Sequence, residues 1–232
     1  MNSSTSYPST IKKVSTFSAL VGSEWEGTAN AAVWIRDLHG DFKDIVSQLQ
    51  LTEDITEVTP QDLLSLQLSG EGQKARAIIL NDIALLTDHG ASPSLNLLKC
   101  YERDEELNFI STDVYSWHVD RAPVSTDTFL CTYYGAASDI LPNEQAEQKI
   151  LIPEIREKLR ALHDGPEEDF ETFLTDCCFD LHYQEKPNAQ PVNLGLGHLW
   201  KLAVDHPQQK VLPSIHRAPV EKKGEYRLLL IC

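Results

Sequence analysis

The chain is short of several things, and each shortage removes a class of protein. It has no run of 18 apolar residues, so a membrane-spanning helix is excluded. The opening stretch, Met1 to Ser15, has no apolar secretory core, and the cytoplasm is the expected compartment. Cysteine is sparse, with five residues (Cys100, Cys131, Cys177, Cys178 and Cys232) and no Cys-x-x-Cys pair. An odd number without a secretory signal argues against a disulfide framework or a cysteine-rich zinc site, and for thiols kept reduced. Positive charge is also scarce: 20 Lys and Arg face 35 Asp and Glu in 232 residues, a net charge of −15. Such a chain repels a phosphate backbone, which argues against nucleic acid as the main partner. Internal repeats are absent, and the one low-complexity tract is the Ser/Thr-rich first ten residues.

What is present suffices for a core, since 41% of residues are hydrophobic and 24% charged. Residues 1–20 read as a flexible polar arm. Residues 21–94 read as a helical part. Asp41 caps a helix bearing Phe42, Ile45, Val46 and Leu49, and Thr59-Pro60-Gln61-Asp62 opens another. A third carries Ile78, Ile79, Ile83 and Leu86 and stops at His89-Gly90. From residue 95 the pattern turns to strands: Leu95 to Tyr101, Leu107 to His118 and Thr128 to Tyr134. Residues 139–185, with thirteen acids against four bases, read as helical again. Pro153 starts one helix there, and Pro166 starts another with the stripe Phe170, Phe173, Leu174, Cys177, Cys178 and Leu181. Strands return at Val192 to Val204, Lys210 to His216 and Glu225 to Ile231. The expected architecture is α+β or mainly β, with a core over 95–232 interrupted by an acidic helical insert at about 139–190. Strands so separated can still close one sheet or barrel.

Chemistry concentrates at three places. In Trp117-His118-Val119-Asp120, strand geometry puts His118 and Asp120 on one face. His216, on a late strand, offers the third ligand. Two imidazoles and one carboxylate on one side of a metal leave positions open for oxygen and a cosubstrate. Arg227 enters the apolar strand Tyr226-Arg227-Leu228-Leu229-Leu230 eleven residues beyond His216. A guanidinium there needs a partner, and a carboxylate held in a two-pronged grip is one. With 8 His and 17 Asp, about 0.6 His-x-Asp matches arise by chance, so the joint order of these residues carries the signal. Residues 201–232 hold six bases and three acids, a local cationic patch suited to a small anion.

The order His118-x-Asp120, His216, Arg227 resembles the Fe(II)/2-oxoglutarate-dependent dioxygenase superfamily. The span 95–232 also resembles a little-characterised bacterial family of unknown function. It does so through Leu95-Asn96-Leu97, Trp117-His118-Val119-Asp120, Thr132-Tyr133-Tyr134-Gly135, Leu199-Trp200-Lys201, His216-Arg217-Ala218-Pro219 and Arg227-Leu228-Leu229. It departs at Ala136-Ala137-Ser138-Asp139, where that family commonly has Gly-Thr-Glu. The superfamily resemblance implies a double-stranded β-helix, the jelly-roll core also used by cupins. It implies that His118, Asp120 and His216 bind Fe(II) and act as the catalytic centre. Arg227 would hold the distal carboxylate of 2-oxoglutarate, with Thr132, Tyr133, Tyr134 and Ser214 as candidates for further contacts. The expected function is oxidation of a C–H bond in a small-molecule or peptide substrate, without nucleic acid or membrane.

Blander readings compete. His118 and Asp120 would be a surface pair, His216-Arg217 the start of a loop, and Arg227 a structural ion-pair residue. Cys177, Cys178 and His182 read as core rather than a metal cluster. His198 and His206 lack companions at ligand spacing, and Gly195-Leu196-Gly197 lacks the features of a phosphate loop. Trp25, Trp34, Trp117 and Trp200 read as core, and Glu167 to Glu171 as a solvated helix start. Two other functions stay open: a cupin-like metalloprotein that does not use 2-oxoglutarate, and a non-enzymatic module whose acidic insert meets a basic partner.

Overall fold

A computed structural model describes residues 7–222 and 224–232. Of the expected arm, residues 1–6 lie outside the described residues. The rest is folded: β1 (Ile11–Val14) pairs in parallel with β2 (Ala31–Trp34), and α1 (Phe17–Val21) is capped by the Thr16 hydroxyl. Ile11 and Leu20 are buried, and that burial is what ties the arm down.

The helical reading of the next stretch follows from its caps. Asp41 accepts from the Asp44 N–H at the start of α2 (Phe42–Gln48). After the short strand β3 (Ile55–Glu57), Thr59 and Asp62 form a reciprocal capping box at α3 (Pro60–Ser65). Ser69 caps α4 (Gly70–Asp88), which ends at His89 and the left-handed Gly90, φ 94°. These helices cover one face of a seven-stranded sheet. Ile45, Leu63, Ala75, Ile79 and Leu86 pack there against Leu97, Phe129, Cys131, Leu228 and Leu230.

That first sheet joins β4 (Ser94–Leu98), β6 (Asp127–Tyr134), β11 (Leu199–Ala203) and β13 (Arg227–Ile231) to β1, β2 and β3, in the order β1-β2-β11-β6-β13-β4-β3. The second sheet contains β5 (Trp117–His118), β7 (Asp139–Leu141), β8 (Ala146–Gln148), β9 (His182–Glu185), β10 (Val192–Asn193) and β12 (Ile215–Arg217). Its order is β10-β7-β12-β5-β9-β8. Ile140 of the second sheet packs with Leu130, Trp200 and Leu229 of the first, so the two sheets share a core. The fold is mixed α/β with two β-sheets.

Several expectations need correction. The stretch 107–118 yields a strand only at Trp117–His118. Before it, Asp104 and Asp113 accept hydrogen bonds from the backbone of Thr112, Tyr115 and Ser116, which replaces the ladder with side-chain-fixed turns. The stretch 139–185 is not uniformly helical, because β7, β8 and β9 lie within it. Its helices are α5 (Pro153–Arg160) and α6 (Phe170–Asp176). Periodicity placed Cys177 and Cys178 in a buried stripe. Instead the helix stops at Asp176, Cys178 turns left-handed at φ 60°, and both thiols are exposed. The late strands are also shorter than expected. Gly195 and Gly197, at φ 72° and 76°, interrupt 192–204, and β12 begins only after Pro213.

Candidate metal centre

Antiparallel register places His216 opposite His118, and His118 opposite His182. Ile140 also faces His216 across β7 and β12. Directly opposed residues share a face, so Ile140, His216, His118 and His182 form one row. Ile140 belongs to the core between the sheets, and the row therefore points inward. The alternate residues Trp117, Leu141 and Ile215 build a separate cluster on the other face.

Asp120 lies just beyond β5, where its carbonyl accepts from the Asp205 N–H at 2.8 Å. His118 Nε2 is 4.0 Å from Asp120 Oδ1, and His216 Nε2 is 3.7 Å from Asp120 Oδ2. One donor atom from each of the three residues falls within 4.8 Å of the others. Among the described residues this is the one cluster of three or more such side chains. Each imidazole is aimed from behind. His118 Nδ1 donates to the Ser116 carbonyl at 2.8 Å, and His216 Nδ1 to the Ser214 carbonyl at 3.3 Å. A proton held on Nδ1 leaves the Nε2 lone pair facing the carboxylate, as a metal ligand requires. The Thr128 hydroxyl of β6 donates to Asp120 Oδ2 at 2.5 Å and fixes the third ligand.

Electrostatics act on two of the three residues. Burial, reinforced by charge on His216, pushes His118 down to about 4, so it stays neutral at neutral pH. Burial opposes ionisation of Asp120, but the charge of His216 and the Thr128 hydrogen bond outweigh it and hold the carboxyl below its usual range. The donor set, two imidazoles and one carboxylate, fits a divalent ion of borderline character, and among the described residues no fourth such side chain joins it.

Arg227 opens β13. Leu228 and Leu230 face the helices, so Arg227 and Leu229 face the second sheet. The residue is 2% exposed. Its Nη2 donates to the Ser138 hydroxyl at 3.2 Å, just before β7, while Nε and Nη1 have no hydrogen-bond partner among the described residues. Tyr101 and Glu221 lie close enough to favour its charge, yet no carboxylate of the described residues reaches ion-pair distance. Gly135, at φ 85°, makes this approach feasible, because a Cβ there would collide with the Tyr226 carbonyl and the Arg227 side chain. The Thr132 hydroxyl, inward on the neighbouring strand, is likewise buried and without a partner among the described residues.

The other candidates sort plainly. Tyr133 points away from the site and donates to Asp82 at 2.7 Å. Tyr134 packs against the helical side. The Ser214 hydroxyl is engaged by the Asn30 carbonyl and the Ala203 N–H. His198 accepts from the Arg36 N–H, and His206 bonds within its own loop. Trp117 and Trp200 are core, with Trp25 and Trp34 half-buried against it. Arg217 pairs with Asp139 and Glu185 and lies over Trp117 on the outer face. Sequence reasoning missed Ser116, Thr128 and Ser138, since a hydroxyl's role depends on strand partners that no local pattern specifies.

Fold and site together define a mixed α/β protein with two sheets and a candidate two-histidine, one-carboxylate metal centre between them. The chain belongs to the family described as "Protein of unknown function (DUF1826)", whose model matches residues 21–232. The match thus includes the helical layer as well as the strands that carry the ligands. No curated protein and no solved structure matches the chain.

Proposed function

We propose that this protein is an Fe(II)- and 2-oxoglutarate-dependent oxygenase built on a double-stranded β-helix. The strand orders support the architecture: in β4-β13-β6-β11 of one sheet and β5-β12-β7-β10 of the other, successive strands switch sheets as the chain advances except from β7 to β10, which stay in the second. The observation that carries the cosubstrate is Arg227. A buried guanidinium with two idle nitrogens is costly unless an anion answers it, and this one opens the strand that follows His216 and faces the same inter-sheet space.

His118, Asp120 and His216 would hold the iron, and Arg227 would grip the far carboxylate of 2-oxoglutarate, with Ser138 steadying the guanidinium. Bound iron and cosubstrate supply the oxidation: 2-oxoglutarate and oxygen become succinate and carbon dioxide as a substrate C–H bond becomes C–OH. The chain's own residues orient and shield. Ser116 and Ser214 keep the imidazole protons on Nδ1, and Thr128 holds Asp120 in register. The apolar inter-sheet core around Leu130, Ile140 and Leu229 excludes water on one side.

The test is anaerobic reconstitution with Fe(II), followed by 2-oxoglutarate. Wild type should develop a metal-to-ligand charge-transfer band, and Arg227→Gln should lose it while still binding iron. A second reading has its own observation: Glu221 acts on Arg227 electrostatically and keeps one buried oxygen without a partner among the described residues. If Glu221 serves as the internal counter-ion, the protein is a cupin-like metalloprotein without this cosubstrate. Iron would then bind, and no band would form in wild type.

A further inference from the structure

The inward row of the second sheet continues past the metal ligands. Arg227 approaches this row through Ser138, on the β7 side of His216. His182 stands at the opposite end, on β9, its ring centroid 6.0 Å from that of His118. It is 4% exposed, and its Nδ1 has no hydrogen-bond partner among the described residues. Native interiors seldom leave such an atom unanswered. It is not one of the three clustered ligands.

Lys149 belongs to the same corner. Its half-buried Nζ donates to the Ser116 hydroxyl at 2.8 Å, and Ser116 is the residue whose carbonyl orients His118. The ammonium is therefore one residue removed from a metal ligand. Asp113 favours its charge from nearby, but no carboxylate of the described residues reaches ion-pair distance of it. The two acids that face His182 are occupied elsewhere. Asp104 accepts from the backbone and hydroxyl of Thr112, and Asp113 from the backbone of Asp104, Tyr115 and Ser116. Arg156 and Arg160, bases of the same acidic stretch, are paired with Glu171 and Glu167. Lys149 instead turns toward the metal side of the sheet.

On the oxygenase reading, Arg227 takes the cosubstrate and this corner is left for the molecule to be oxidised. We infer that Lys149 and His182 form the subsite for the primary substrate, and that this substrate is a small molecule bearing an anionic oxygen group, a carboxylate or a phosphate. The ammonium supplies the charge, and His182 Nδ1 bonds a second oxygen of the same group. The anion would be held on the side of the metal opposite Arg227, leaving the rest of the molecule near the open coordination positions.

The test uses the full chain loaded with Co(II), whose visible absorption responds to its coordination, in the presence of 2-oxoglutarate. Acetate, benzoate and inorganic phosphate are titrated against acetamide and benzamide. At least one anion should give a saturable change that its neutral counterpart does not. Lys149→Met and His182→Phe should each weaken it about tenfold or more, with Co(II) stoichiometry unchanged. If His182→Phe fails to retain the metal, the half-buried Lys149→Met decides alone. The subsite is overturned if no anion perturbs the spectrum, if the amides act equally, or if Lys149→Met binds the anion as wild type does. Failure of the oxygenase reading shows separately, as a Co(II) spectrum that 2-oxoglutarate leaves unmoved. The carboxylate and phosphate arms tell the two anion classes apart.

Discussion

The side chains of Arg36 and Arg227 are withdrawn from solvent on opposite faces of the first sheet, and the chain treats them differently. Arg36 follows β2 and faces the helical layer. Its Nη1 binds both oxygens of Asp82, at 2.6 and 2.7 Å, its Nε binds the Gly197 carbonyl, and its Nη2 meets Cys131 Sγ at 3.4 Å. Asp82, with a side chain only 1% exposed, also accepts from Tyr133. Each of these groups answers another, so the network locks α4 onto the sheet. Arg227 faces the second sheet with the Ser138 hydroxyl on Nη2 and Tyr101 nearby, and among the described residues Nε and Nη1 meet no hydrogen-bond partner. Burial alone therefore does not distinguish a structural arginine from one awaiting a ligand. The count of satisfied donors does.

The sharpest break of this contrast is Asp82→Ala. It strands Arg36 in the interior, and stability should fall by about 3–5 kcal/mol, read by chemical denaturation. Arg227→Met should do the opposite to the ligand-free protein. Removing an unanswered buried charge should leave stability equal or raise it, whereas affinity for 2-oxoglutarate should fall about a hundredfold. A large loss of stability in Arg227→Met would make the two arginines alike and remove the basis of the cosubstrate assignment. Thr128→Val deletes the hydrogen bond that fixes Asp120 without touching a ligand atom, and iron affinity measured by chelator competition should drop about tenfold.

The smallest effect is in pH. Burial pushes His182 down to about 3 and His118 to about 4, below the ordinary 6.5. In the metal-free protein between roughly pH 6.5 and 4 the unfolded chain then binds more protons than the folded one. Stability from these groups is fully present above 6.5 and is lost as the pH falls through that window. His182→Gln should flatten that slope in Tm-against-pH scans. An unchanged slope would mean that His182 is not held neutral in the fold.

The parts legible in the sequence were those with local causes. Asp41, the Thr59–Asp62 box and His89-Gly90 mark helix ends because a cap's partner lies within a few residues. His118 and Asp120 were legible as a pair through their spacing. The stripe through Cys177 and Cys178 misled because periodicity does not register left-handed Cys178, before which the helix stops at Asp176. Residues 107–116 misled because β-branched and aromatic composition was outweighed by Asp104 and Asp113 bonding the backbone of their own loop.

By itself the sequence determined which side chains were available for chemistry, and it placed His118, Asp120, His216 and Arg227 on or beside extended segments. Only the tertiary structure decided that His216 sits directly across from His118, that Thr128 meets Asp120, and that Arg227 is left unanswered where Arg36 is not. The physical reason is that strand pairing and donor satisfaction are properties of neighbours far apart in the chain. A composition or spacing rule reads neighbours in sequence, and the candidate metal centre is made of neighbours in space.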